Sequence, residues 1–282
     1  MIPARTFLGL PSSRITPEME EVFFTSIMAR NGTYKTTYGS RFSKINEQLL
    51  RLISAGSISA RSILDIGISS GVNTLELAEY LGAHGYETSV VGTDILIDAY
   101  LVRVLPGCDA LVDASGFPLR FDLFGRSMKP WVVQSDYRSG FFLVRKGINV
   151  LFRSLAARGR AGRQSSKTTH VQLVAPRLLE DKNIVVCDDD ITRFNPEFAA
   201  RFDFVRAANV LNKGYFDDDV LRGIIGNIRR YMKPAAGSLL VLRTHENKEN
   251  HGTLFKLDGD SRFVLLERFG TGSEIEHLVL EA

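Results

Sequence analysis

Cysteine is nearly absent from this 282-residue chain: only Cys108 and Cys187 occur, with no C-x-x-C and no Cys/His ligand spacing. Neither a disulfide framework nor a metal centre is expected. Long apolar runs are missing as well. No stretch approaches the roughly 20 residues of a membrane span. The N-terminus "MIPARTFLGLPSSR" lacks the apolar core of about 7–15 residues that a signal peptide needs. A cytoplasmic protein is the expectation. Acidic residues are absent from one long interval, between Asp136 and Glu180, which carries nine basic ones: Arg138, Arg145, Lys146, Arg153, Arg158, Arg160, Arg163, Lys167 and Arg177. Because the whole chain sums to only +3, the remainder is net acidic and the positive charge belongs to one segment.

What is present is ordinary for a globular protein, with 44% hydrophobic and 24% charged residues. The length suits one domain with an insertion better than two full domains. Thr16-Pro17 followed by Glu18, Glu20 and Glu21 predicts a helix start, since proline suits the first turn and carboxylates suit the positive end of the dipole. Ser43 opens a second helix with Ile45, Leu49, Leu52 and Ile53 on one face and Gly56 as its stop. Short β-type runs follow at Ile63–Ile66, Ser89–Gly92, Asn183–Val186, Asp203–Val205 and Ser238–Leu242, separated by helical patterns. That alternation predicts an α/β fold, a mainly parallel, Rossmann-like sheet of seven strands. Two last runs, Arg262–Phe269 and Ile275–Leu280, flank "GTGS" and predict an antiparallel edge hairpin.

Between about residues 104 and 182 the rhythm breaks. A small β meander is expected there, followed by an amphipathic helix over Phe141–Ala157 with Phe141, Val144, Ile148, Leu151 and Leu155 on one face. The organisation reads as an N-terminal helical region (1–60) and a main domain (61–282) carrying this insertion as a lid or substrate subdomain. Aromatic and aliphatic residues beside arginines in 138–167 resemble an interfacial helix, which suits an anionic or lipid-like acceptor or peripheral contact with a membrane. Nucleic acid is disfavoured, since no reader motif accompanies the basic patch.

The stretch "ILDIGISSGVNTLELAEYL" (63–81) fits two chemistries. Gly67-Ile68-Ser69-Ser70-Gly71 matches the G-x-S-x-G elbow of a serine hydrolase and also a glycine-rich ligand loop between strand and helix. The elbow needs earlier strands to complete its sheet and oxyanion hole, and the 62 preceding residues are largely helical in pattern. The ligand loop accounts for more residues. Gly67 and Gly71 permit a tight turn, and Asp94 ends the next apolar run, where an acid can accept from both ribose hydroxyls. Asp65, beside the glycines, would repel a pyrophosphate but attract a ligand bearing an ammonium and a sulfonium. The sign favours S-adenosylmethionine over a dinucleotide.

On these residues the chain resembles the class I S-adenosylmethionine-dependent methyltransferases. "LDIGISSG" resembles their Asp/Glu-x-Gly-x-Gly-x-Gly motif with Ser69 at the middle glycine, and "VVGTDI" their ribose-binding segment with Asp94 and Ile95. "VVCDDDIT" is similar to the segment that holds the adenine, with Asp190 and Ile191. "FDFVRAANVLNKGYF" and "IRRYMKPAAGSLLVLRTHE" are similar to the fourth and fifth strands, with Asn209 at the mouth of the fourth. The nearest likeness is to the chemotaxis-receptor glutamate methyltransferases, whose Arg-Asn-Val-Leu-x-x-Phe pattern is matched by "AANVLNKGYF", with Ala208 in place of the arginine and one extra residue before Phe216. The resemblance implies methyl transfer to an acceptor without a metal. His245, just past the fifth strand, and Tyr38 are candidates for the catalytic centre. A non-catalytic protein that binds S-adenosylmethionine to regulate a partner is the alternative from another class.

Overall fold

The computed structural model describes residues 2–28, 34–35, 38–128, 146–147, 150, 168–245 and 247–282. Two compact units emerge: Met1–Tyr38 with Leu96–Pro176, and Gly39–Ile95 with Arg177–Ala282.

The first unit is built on an antiparallel sheet. Its strands are β3 (Asp98–Leu105), β4 (Cys108–Asp113), β5 (Pro118–Leu123), β6 (Arg126–Met128) and β7 (Thr168–Gln172), in the order β6-β5-β4-β3-β7. This is the expected meander, extended by β7. Helices α1 (Ala4–Leu8) and α2 (Pro17–Phe24) pack on it. Thr16 caps α2 through its hydroxyl, which accepts from the Met19 amide. Phe7 and Phe23 stack at 4.0 Å with Phe24 edge-on to both, forming one core with Leu101, Leu111 and Leu119. Two carboxylates pin α1 to the sheet. Asp122 accepts from the Ala4 amide at the helix start, and Asp109 pairs with Arg5 and Arg103. The predicted helix over 141–157 and most of the basic segment 138–167 lie outside the described residues.

The second unit is a doubly wound α/β sheet of seven strands: β1 (Ser62–Ile66), β2 (Ser89–Asp94), β8 (Ile184–Asp188), β9 (Phe204–Ala208), β10 (Ser238–Thr244), β11 (Asn250–Leu257) and β12 (Phe263–Phe269). Their order is β12-β11-β10-β9-β1-β2-β8, with β10, β9, β1, β2 and β8 mutually parallel and β11 and β12 antiparallel at one edge. Helices α3 (Ser43–Ser54), α4 (Val72–Ala83), α5 (Pro176–Glu180), α6 (Asp218–Tyr231) and α7 (Glu276–Leu280) accompany it. Along α3 the expected face is buried at Ile45, Leu49 and Leu52, and the helix stops at Gly56, whose φ of 70° suits a residue without Cβ. Asp217 caps α6 by accepting from the Val220 amide at 2.9 Å, and Leu221, Ile224, Ile225 and Ile228 enter the core.

One element differs from expectation. Ile275–Leu280 is not a strand: α7 occupies it, and the edge hairpin is formed by β11 and β12 around Asp258–Arg262. The Asp258 carboxylate accepts from the Asp260 and Arg262 amides and closes that turn. In the C-terminal run, Ile275, Leu278 and Val279 are all fully buried, which is helical i, i+3, i+4 spacing. Glu276 in the first turn is held by Arg268 and Thr253. A six-residue run with four apolar residues is too short for its period to decide, and tertiary packing chose the helix.

Candidate functional site

In a doubly wound sheet, ligands bind beyond the carboxyl ends of the strands, where the winding direction reverses. Here the chain runs outward from β1 to β2 to β8, then returns to β9 on the other side of β1. The switch point is therefore between β1 and β9. The loops leaving these two strands begin with Gly67 and Asn209.

The glycine loop is set by its backbone. Gly67 (φ 71°) and Gly71 (φ 77°) are left-handed, as is Ser69 (φ 58°). A Cβ on Gly67 would stand 2.0 Å from Val210 Cγ2, and one on Gly71 2.3 Å from Leu178 Cδ2, so both positions also require close approach. The loop is tied to the next strand: the Gly67 and Ile68 amides donate to the Thr93 carbonyl at 2.7 and 3.0 Å. The Ser69 amide donates to Asp94 Oδ2 at 2.8 Å. The acid at the end of β2 thus clamps the loop. An ionised carboxylate offers about four acceptor positions, so the same group can also serve a ligand. Ile95, immediately after it, is 53% exposed.

Asp65 departs from its expected role. Rather than facing a ligand's ammonium, the buried carboxylate takes Arg206 Nε at 2.9 Å and Nη2 at 2.5 Å, and accepts from Thr74 Oγ1 at 2.6 Å. Its charge is compensated within the protein, and the electrostatic preference for a cationic ligand does not rest on it. The pair joins β1, β9 and α4, since Arg206 Nη2 also donates to the Asn73 carbonyl. Sequence reasoning passed over Arg206; the signal was a lone arginine inside the apolar run "FDFVRAA". Three buried polar atoms cluster around the start of α4 without a hydrogen-bond partner among the described residues: Ser70 Oγ, Asn73 Oδ1 and Arg206 Nη1. Donors and an acceptor of this kind fit a polar ligand portion of mixed charge.

Asn209 is left-handed (φ 63°), a conformation in which asparagine is enriched. Its Oδ1 accepts from the Thr244 amide at 2.6 Å, locking the end of β9 to the end of β10. Beside β2, the loop after β8 places Asp190 and Ile191 differently from expectation. Asp190 Oδ1 accepts from the amide and hydroxyl of Thr192 and forms a local turn. Ile191 is 5% exposed and joins the hydrophobic core. Asp189 is the more suggestive neighbour. Burial pushes its carboxyl above the ordinary value against the Asn195 amide group that bonds Oδ1, and its buried Oδ2 has no partner among the described residues.

His245 is exposed just beyond β10, with its ring 4.6 Å from that of His251 and nearly perpendicular to it. The Thr271 amide donates to His251 Nδ1 at 2.9 Å. Tyr38 belongs to the other compact unit. Glu76, on α4, accepts from the Ser40 amide at 2.7 Å; burial pushes its carboxyl up, opposed by that amide and by Arg206. For the hydrolase elbow, among the described residues no strand of this sheet precedes β1, whereas such enzymes take an oxyanion-hole donor from an earlier strand's loop. A separate cavity of about 450 Å³, lined by Arg61, Tyr86, Glu87 and Lys256, lies at the opposite, N-terminal ends of the strands. Among the described residues no helix is long and apolar enough to cross a membrane, and no group of three or more His, Cys, Asp or Glu is placed to hold a metal ion.

No family model matches the chain, and no curated protein does. Among solved structures it is similar to the CMeT domain of the citrinin polyketide synthase, at 14% identity and TM-score 0.39, over 82% of this chain and 40% of that one. It is similar to the PH0226 protein from Pyrococcus horikoshii OT3, at 15% identity and TM-score 0.39, over 96% and 89% of the two chains. It is also similar to the N-methyltransferase NodS from Bradyrhizobium japonicum WM9, at 19% identity and TM-score 0.32, over 72% and 68%.

Proposed function

We propose that this chain is an S-adenosylmethionine-dependent methyltransferase of the class I type. One observation carries the reading: a left-handed glycine loop at the switch point of a doubly wound sheet, clamped by the acid that ends the adjacent strand through Ser69 N and Asp94 Oδ2. S-adenosylmethionine, when bound, supplies a methyl group on a sulfonium for in-line displacement. The chain's contribution is position, worth up to roughly 7–11 kcal/mol in favourable intramolecular cases. Asp94 would accept from the ribose hydroxyls and Ile95 would cover the adenine. Asp189 or Asp190 would meet the adenine amino group. The loop from Gly67 to Gly71, with the Ser70 and Asn73 atoms that have no partner among the described residues, would hold the polar amino-acid end. Asn209, at the mouth of β9, would lie near the sulfonium.

The acceptor is proposed to be a small anionic or lipid-like molecule, with peripheral membrane contact through 138–167. The nearer likeness to chemotaxis-receptor methyltransferases stands on the "AANVLNKGYF" motif. The test is calorimetric. Asp94→Ala removes two charge-assisted hydrogen bonds of about 1.5–3 kcal/mol each, so S-adenosylhomocysteine affinity falls by about a hundredfold or more. A folded variant that binds as tightly as the wild type would remove the ribose assignment. Turnover with candidate acceptors separates an enzyme from a binding protein.

A further inference from the structure

The four residues before α3 carry no role in the reading so far, and their fastenings lie at both sides of the switch point. At one end the Ser40 amide donates to Glu76 Oε1 at 2.7 Å, on the second turn of α4, and a Cβ on Gly39 would already sit 3.0 Å from that oxygen. At the other end Arg41 Nε donates to Thr244 Oγ1 at 2.9 Å, and the Arg41 carbonyl accepts from Asn250 Nδ2 at 2.7 Å. Thr244 ends β10 and Asn250 begins β11. Phe42 is buried at 3% exposure, with the Arg206 guanidinium 5.7 Å from its ring centroid.

The spacing dictates the path. From β1, which leads into α4, to β10 is two strand spacings, roughly 10 Å. Gly39–Phe42 is a turn, with the Ser43 amide donating to the Ser40 carbonyl at 3.4 Å. The Arg41 side chain completes the reach to Thr244, so the turn joins α4 to β10 past the end of β9, where Asn209 meets Thr244. Ser40, at φ 59°, bends the backbone where the crossing begins.

We propose that Gly39–Phe42 is a strap across the mouth of the ligand site, fastened at Glu76 and at Thr244, and that it must release for the ligand to enter or leave. This rests on the cofactor reading above. Neither fastening uses the groups assigned to ribose or adenine, so loosening the strap changes exchange rates more than affinity.

The probe is S-adenosylhomocysteine, followed by stopped-flow fluorescence on the full chain. Glu76→Ala and Arg41→Met each remove one fastening of a kind that contributes roughly a factor of five. The expected result is a rise of about fivefold in both the association and dissociation rates of each variant, with Kd within about twofold of wild type. Glu76→Gln retains an acceptor for the Ser40 amide and should stay near wild type, which separates the latch from general loss of packing on α4. Unchanged rates in folded Glu76→Ala and Arg41→Met overturn the strap. Absence of binding by the wild-type protein overturns the cofactor reading, and the strap with it.

Discussion

Arg206→Met removes the guanidinium that faces Asp65 while keeping much of its buried volume. Both side chains are nearly inaccessible, at 2% and 3% exposure. Among the described residues the Asp65 carboxylate then retains the Thr74 hydroxyl as its hydrogen-bond partner. Removing one member of a buried pair costs about 3–5 kcal/mol, because the other charge is left uncompensated, whereas exchanging the whole pair for apolar groups is often neutral. At 1.36 kcal/mol per tenfold, the single variant should raise the exchange of the most protected amides in β1 and β9 by roughly two to three and a half powers of ten. The triple variant Asp65→Leu, Thr74→Val, Arg206→Met, which leaves no orphaned carboxylate or hydroxyl, should recover most of that loss. Hydrogen exchange read by mass spectrometry on peptides covering Ser62–Ile66 and Phe204–Ala208 is the suitable assay, since a chain of two compact units need not unfold in one step. If the triple variant is as unstable as the single one, the penalty is not uncompensated charge. If Arg206→Met exchanges like wild type, the pair does not hold these strands.

Gly67→Ala places a Cβ 2.0 Å from Val210 Cγ2 at a φ of 71°. The backbone strain alone costs roughly 1–2 kcal/mol; adding Val210→Ala should restore part of the melting temperature, and no recovery would refute the contact. Asp203 accepts from Ser62 and Lys233; burial pushes its carboxyl up, but these hydrogen bonds outweigh it and hold the group below the ordinary value. A carboxyl depressed in the folded state stabilises the fold above its unfolded pKa of about 3.9, and that contribution disappears as pH falls through the folded value. Lys233→Met should therefore shift the acid-unfolding midpoint, followed by circular dichroism, to higher pH; an unmoved midpoint would count against the assignment.

Local pattern was enough to place most of the scaffold and none of its cross-links. The β–α alternation from Ile63 onward, the helix start at Thr16 and the apolar face of α3 are short-range signals, and each appears where the spacing predicts it. The glycine loop and Asp94 were legible for the same reason: turn chemistry and the end of an apolar run are written within a few residues. Tertiary structure decided the rest. Asp65 and Arg206 are 141 residues apart in sequence and one strand apart in the sheet, so only the order β9-β1-β2 shows that the acid beside the glycines is already paired. Ile191 reads as an apolar residue free to face a ligand until the core claims it. The run Ile275–Leu280 suits a strand or a helix by periodicity, and the burial of Ile275, Leu278 and Val279 together settles it as α7. Periodicity records which residues avoid water, whereas the partner that covers each one is a property of the fold, set by strand order and by contacts the linear chain does not display.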